Sequence, residues 1–532
     1  MTDYKTKDVD EDVRIEHHVE PQGGQAGLAS VVASGSKGLS KSADVAMSLF
    51  KDYDFNAPVD PVEEKKVVRK ADRFIIPMIM VNYIFFYIDK TTLSYASIYG
   101  IREDLHLSGS QYSWLSSIFY FGFLFWAFPT NFLMQRLPLG KYLGCNIIMW
   151  GVFLMLQAAS TSFRTLAVLR FLSGAAEACS DPAFLLITQM WYTRRQQPFR
   201  IGIWYLGNGF GIAVGGLIGY GIGHINGSIP AWKFEFIIVG ALCIIWGIVI
   251  TVLMPDSPVT AKFLTDHEKR VAVLRLKDNQ TGVENKHLKS YQVWEAFKDP
   301  KLYLFYILGT VCNLPNGGIS NFGTLIVQGI FHSKLLAAAM QVPYGVFIAC
   351  CLLACAFLND RFPNNNRCKF VLLFLSPNIA GAFGLHYLHQ SNHAGRYICY
   401  LLTGPYNAAF TLILSLQIAN TAGHTKKVVT NAVLFLGYCT GNIAGPFFYL
   451  GSQSPTYTLG IWSMIVSHLL EVVAICVFWY MLRKENKRRD KLQGHEGLTQ
   501  EQILEKQISE GHAQTAFEDL TDRENLNFRY IY

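Results

Sequence analysis

The chain has 532 residues, of which 51% are hydrophobic and 16% charged. A soluble chain of that length carries about a quarter of its residues as charge and spreads them over several domains, so this composition excludes that class. Position sharpens the exclusion: 60 of the 85 charged residues fall within 1–73, 255–301 and 483–532, leaving 25 across the other 362.

The chain therefore reads as an all-α membrane protein. Residues 1–73 form a polar tail with Gly- and Ser-rich stretches and no cleavable signal peptide, expected to be disordered. Windows of about 20 apolar residues, long enough to cross roughly 30 Å of hydrocarbon, follow at 74–97, 113–133, 141–160, 165–188, 201–223 and 234–254. A charged central loop, 255–301, separates them from a second set at 302–326, 341–358, 369–388, 397–417, 429–450 and 459–481. The expected architecture is 12 transmembrane helices in two six-helix bundles, 74–254 and 302–482, with a polar C-terminal tail over 483–532. Lys and Arg gather on one side of these spans: Lys65 to Arg73, Arg136 and Lys141, Arg194, Arg195 and Arg200, the central loop, Arg361, Arg367 and Lys369, Lys426 and Lys427, and Arg483 to Lys491. The opposite loops hold about one each, so both termini are expected in the cytosol.

A weak internal repeat accompanies the six-plus-six division. Arg136 and Lys141 follow the second span, and Asp360, Arg361 and Arg367 follow the eighth. These charges can close neighbouring helix ends through charge and helix-dipole contacts, or serve as ordinary positive-inside loops. The eleven cysteines lie almost entirely in apolar spans without metal-ligand spacing. Asn226-Gly-Ser228 is a glycosylation sequon beside a span end; Asn279-Gln-Thr281 is expected in the cytosol. Residues Leu498–Ser509 could form a short helix.

Ionisable residues inside spans are costly and mark function by default. Here they are Asp89 and Lys90 in span 1, Arg170, Glu177 and Asp181 in span 4, and Glu471 in span 12; Glu235 reads as interfacial. At 100° per residue, Arg170, Gly174, Glu177 and Asp181 share one stripe that must face protein or water. Glu177 lies near mid-span, where desolvation penalises its charged form, which makes it a candidate proton carrier. Lys90 or Arg170 can supply a matching cation, and Lys90 could instead hold an anionic substrate. A structural ion pair locking spans 1 and 4 is the plainer alternative. Glu471 reads as a packing or snorkelling carboxyl. Further polar candidates for substrate contact are Asn208 in the Gly-rich span 5, Asn316 in span 7, Asn407 in span 10 and Asn442 in span 11; interhelical hydrogen bonding explains each equally well. Span 7 carries Asn313-Leu-Pro315-Asn316-Gly-Gly318, a pattern that favours a broken helix.

The stretch Tyr87-Ile-Asp89-Lys90-Thr-Thr-Leu-Ser-Tyr-Ala resembles the first-span motif of the anion:cation symporter family of the major facilitator superfamily, and Arg170-Phe-Leu-Ser-Gly-Ala-Ala-Glu177-Ala its fourth-span motif. Met254-Pro-Asp-Ser-Pro, Asn420-Thr-Ala-Gly-His-Thr-Lys-Lys, Gly441-Asn-Ile-Ala-Gly-Pro-Phe-Phe and Phe517-Glu-Asp-Leu-Thr-Asp-Arg-Glu-Asn are similar to the fungal allantoate permease branch. Leu137-Pro-Leu-Gly-Lys-Tyr-Leu-Gly looks closest to its cysteine-carrier and thiamine-regulated subgroup. The resemblance implies proton-coupled uptake of a small organic anion of vitamin, amino-acid, ureide or sulfur-compound type by alternating access. It assigns Asp89 and Glu177 to proton coupling and Lys90 to the substrate carboxylate. Many members carry Arg where this chain has Lys90, so a point charge replaces a bidentate fork. Arg170, Asp181, Arg136, Asp360 and Arg361 are expected to act structurally or in gating.

No cofactor besides the proton, no metal and no nucleic acid is expected, and the carrier is read as a monomer in the plasma membrane, with endoplasmic reticulum or vacuole as alternatives. A drug/proton efflux antiporter is disfavoured because span 5 has glycines but no proline. A non-transporting nutrient sensor should carry a folded cytosolic domain. A membrane enzyme should present a clustered surface site, whereas His386, His389 and His393 are loosely spaced.

Overall fold

The computed structural model describes residues 60–193, 196–225, 227, 229–276, 289–362, 366–494 and 520–532. The expectations for residues 1–59, Arg194 and Arg195, the Asn226 sequon, Asn279 and a helix over 498–509 lie outside them.

Hydrocarbon offers backbone groups no hydrogen bonds, so the chain must satisfy them within each segment. The described long elements are accordingly helices, and ten are long and apolar enough to cross a membrane by length and composition. The N-terminal half contains α1 (Pro61–Ile98), α2 (Gln111–Arg136), α3 (Leu139–Gln157), α4 (Phe163–Glu177), α5 (Ser180–Trp191), α6 (Gln197–Tyr205), α7 (Gly207–Ile222) and α8 (Ala231–Leu253). The loop adds α9 (Asp266–Leu274) and α10 (Ser290–Lys298). The C-terminal half holds α11 (Pro300–Phe331), α12 (Gln341–Arg361), α13 (Arg367–Tyr387), α14 (His393–Leu401), α15 (Tyr406–Ala419), α16 (His424–Ala444) and α17 (Thr458–Leu492).

Both halves start alike. Asp60 accepts from the Val62 N–H with Pro61 at the first helical position, and Asp299 accepts from the Lys301 N–H with Pro300 following. Proline's missing N–H costs nothing there, and the aspartate satisfies an orphan donor.

Three expectations are corrected. Residues 61–73, assigned to a disordered tail, are the first turns of α1, held to the loop helix α9 by Lys70–Glu268 at 2.5 Å and His267–Glu63 at 2.9 Å. The seventh span is one helix despite Pro315. Its paired glycines serve close approach: a Cβ on Gly317 would stand 2.7 Å from the Asn442 carbonyl oxygen of α16, and one on Gly318 would meet the Tyr449 ring. The fourth span, read as a single stripe, is instead interrupted between Glu177 and Ser180, so Asp181 opens a new helix.

Between the halves, α7 crosses α12 where Gly209 meets Gly345; a Cβ on either would lie 2.4 Å from the other's carbonyl oxygen. On the face opposite the loop helices, α2 ties down the second half. Tyr112 Oη donates to the Asn321 carbonyl at 2.8 Å, Ser113 Oγ to Pro446 at 3.0 Å and Ser117 Oγ to Ile443 at 2.7 Å, while Ser94 Oγ meets Thr324 Oγ1.

On the loop face, residues 520–532 form a clasp on the C-terminal half. Lys426 pairs at 2.9 Å with each of Glu295, Asp299 and Asp522, and Lys301 also pairs with Asp522. Arg489, 1% exposed, donates to the backbone oxygens of Asp522, Asn525 and Phe528. Asn486 and Asn420 each grip one clasp residue, Tyr530 and Ile531, through both its N–H and its carbonyl. The sequence passage Asn420–Lys427 and the described part, 520–525, of the passage that begins at Phe517 are thus each other's partners.

Burial alone would push the Asp522 carboxyl up, but Lys301 and Lys426 beside it hold it down at about 2. A carboxyl lowered by folding contributes stability above its unfolded value of about 3.9 and loses it as pH falls through the folded value. Asp522→Asn should therefore lower the stability of the purified protein by about 2 kcal/mol at neutral pH. In thermal melts, the gap from wild type should close as pH is taken from about 4 towards 2.

Candidate functional site

Neighbours on a helix point about 100° apart, and at mid-α1 this sends two opposite charges in different directions. Asp89, 1% exposed, turns into the N-terminal bundle. It accepts from Trp150 Nε1 of α3 at 2.9 Å, and Arg170 Nη1 of α4 stands 3.6 Å from its other oxygen. Lys90 turns towards the other bundle and donates to Tyr438 Oη of α16 at 2.6 Å. Its ammonium sits 4.1 Å from the Phe86 ring centre and 4.8 Å from that of Tyr87, where aromatic faces attract a cation.

Glu177, the last residue of α4, is buried, and neither of its oxygens has a hydrogen-bond partner among the described residues. Asp89, Lys90, Asp181 and Arg170 all act on it electrostatically. Asp181 is half-buried in the first turn of α5, where a carboxylate suits the positive helix end, and its charge acts on Lys90. The clamp of spans 1 and 4 is therefore real for Asp89 and Arg170, while Glu177 stands apart from it.

The amide candidates form two groups. Asn208 Nδ2 of α7 donates to Asn407 Oδ1 of α15 at 2.8 Å, bridging the halves. Within the C-terminal half, Asn316 Nδ2 donates to Asn442 Oδ1 at 3.0 Å, and Tyr406 Oη donates to Asn316 Oδ1 at 2.7 Å. Asn313 lies 3.5 Å from both amides. Sequence reasoning missed Trp150, Tyr406 and Tyr438 as partners. The available signal was position: Tyr406 precedes Asn407, and Tyr438 lies one turn before Asn442.

Arg136, Asp360 and Arg361 do not join this constellation. They are exposed in the last turns of α2 and α12, Arg136 against the Phe132 ring and Arg361 against Phe362, where a cation complements the helix end. Glu235, expected at an interface, is fully buried, and neither of its oxygens has a hydrogen-bond partner among the described residues. Glu471 does not snorkel either; it is buried beside His468. Among the described residues, no His, Cys, Asp and Glu group could hold a metal, and the cysteines are unpaired.

Removing one member of a buried ion pair strands the other. Arg170→Gln should cost about 3 kcal/mol in thermal melts, Trp150→Phe about 1 kcal/mol, and Asp89→Asn added to Arg170→Gln should recover part of the first loss.

A family model described as Major Facilitator Superfamily matches residues 79–446. An uncharacterized transporter of Schizosaccharomyces pombe is 38% identical over 92% of this chain and 90% of its own length. Allantoate permease of Saccharomyces cerevisiae is 33% identical over 92% and 91%, and the thiamine pathway transporter of the same yeast 32% over 88% and 86%. Among solved structures, an inward-facing bacterial homologue of the human lysosomal transporter Spinster superimposes with a TM-score of 0.58 at 15% identity, over 79% of this chain and 97% of that one.

Proposed function

The chain belongs to the major facilitator superfamily, with allantoate permease among its relatives, and is a multi-pass membrane transporter, not an enzyme; on that premise we propose that it imports a small organic anion together with a proton. The observation that carries this reading is Lys90, a buried cation whose hydrogen-bond partner is a neutral phenol of the opposite bundle. A substrate carboxylate displacing Tyr438 would exchange a neutral acceptor for a charge-assisted one. Asn208, Asn407, Asn316 and Asn442 stand ready to hydrogen-bond the rest of the molecule.

Charge balance supplies the coupling. Asp89, Glu177 and Asp181 oppose Lys90 and Arg170, which leaves one net negative charge when all are ionised. An anion entering alone deepens it; an anion entering with one proton leaves it unchanged. Glu177 is the acceptor this reading favours, because Asp89 is already held by Trp150 and Arg170. Anion and proton together leave the net charge of the site as it was, so the fully loaded site can close, whereas an anion alone would carry a further unmatched charge into a closing cavity. The Lys90–Tyr438 and Asn208–Asn407 contacts are the links that part and re-form as the halves rock. With the loop face cytosolic, the α2 seal closes the outer side. The reading places the carrier in the plasma membrane as a monomer, with the proton as its coupling ion.

The test is uptake into proteoliposomes of the full-length carrier under an imposed pH gradient, offering allantoate, nicotinate, pantothenate, cysteine and a sulfonate. The expected result is accumulation of one class, lost when the gradient is collapsed. Glu177→Gln should abolish accumulation, by at least about tenfold, while preserving counterflow exchange. Gradient-dependent accumulation by Glu177→Gln would remove that residue from coupling, and gradient-independent accumulation by wild type would remove symport.

A further inference from the structure

We propose that His468 and Glu471 of α17 form a second proton-binding site, seated in the C-terminal bundle behind the amide cluster. Its part in a transport cycle rests on the proton-coupled reading above; its existence as a site rests on geometry. Both side chains are 0% exposed. They lie one turn apart, with His468 Nδ1 3.2 Å from Glu471 Oε2. The two outward atoms of the pair, His468 Nε2 and Glu471 Oε1, have no hydrogen-bond partner among the described residues. A pair that served packing alone would gain by closing those valences or by being apolar. This one keeps an open acceptor on either side of a shared contact.

The groups around it do not neutralise it. From α11, the Cys312 thiol lies beside Glu471. From α15, the Tyr406 ring centre is 6.4 Å from the imidazole. Helix α13 brings His386 to Trp462 at 5.1 Å, nearly two turns from His468, and Cys368 towards Cys476 further along. Tyr449 packs against Gly460 beyond that. None of these is a Lys or Arg. A neutral imidazole beside a carboxylate thus buries one unmatched negative charge, which is costly in a bilayer. One proton taken from water makes the pair net neutral, and its return to water restores the charge; no other bond forms or breaks.

Tyr406 connects the pair to the site. Its ring packs on His468, and its hydroxyl donates to Asn316 Oδ1. A change of charge on the pair therefore acts on the residue that orients the Asn316 and Asn442 amides, placing a proton-dependent element in the bundle opposite Glu177.

The test uses full-length protein in nanodiscs with 15N-labelled histidine, identifying the His468 resonance by its absence in His468→Gln and, independently, in His468→Asn. The expected result is a His468 resonance whose position changes with pH, and whose response to pH is altered in the near-isosteric Glu471→Gln. A resonance indifferent to pH, or one whose response Glu471→Gln leaves unaltered, overturns the proposal. Allantoate accumulation by proteoliposomes of the same preparation separates the two readings. A titrating resonance beside gradient-independent accumulation defeats symport alone; a silent resonance beside gradient-dependent accumulation defeats the second site alone.

Discussion

An ammonium at the centre of a bilayer must be matched or hidden, and the arrangement of this molecule follows from how Lys90 is held. Two aromatic faces of its own helix and a phenol of the opposite bundle take the place of water. Its charge is offset at a distance by Glu177 and Asp181 instead of being cancelled in a tight pair. That leaves the cation anchored yet available. A direct carboxylate partner would have made it a clamp, as Arg170 is for Asp89.

Helix geometry makes the division possible. Consecutive residues on α1 cannot face the same neighbour, so Asp89 is committed inward to Trp150 and Arg170 while Lys90 spans the interface. The interruption after Glu177 has a related effect. It ends the helix at the carboxylate and starts another at Asp181, whose position in the first turn of α5 is favourable for a negative charge. Two acidic groups close in sequence thereby acquire different environments, one half-buried and one buried without a hydrogen-bond donor among the described residues.

Much of this was legible in the sequence, because lipid allows few solutions. The all-α membrane fold and the short list of charges within apolar stretches follow from hydropathy and from the cost of burying charge. What was not legible depends on neighbours brought together from afar. Pro315 and its glycines read as a break, but the helix continues through them, with the α16 backbone pressed against Gly317. Glu471 read as a packing or snorkelling carboxyl, and its burial was not legible because nothing in the local pattern shows that His468, one turn away, shares it. The segment from residue 520 looked like polar tail; its burial arises from Lys301, Asn420, Lys426, Asn486 and Arg489, scattered over almost two hundred residues of chain. A periodic pattern cannot announce such contacts.

The clasp and the glycine crossings divide labour between rigidity and motion. Alternating access needs two bodies that keep their shape while the interface between them changes. The clasp joins the loop-face ends of α11, α16 and α17 with the loop helix α10, all within one half or its linker, through buried charges that are costly to separate. At the interface, Gly209 and Gly345 bring backbones together without interlocking side chains, and among the described residues the hydrogen bonds between the halves have neutral partners except at Lys90. Breaking a neutral contact costs far less than stranding a buried ion. Charge is thus concentrated where the structure must not move, and Lys90–Tyr438, the charged contact among the described hydrogen bonds between the halves, is the one the proposed anion would replace.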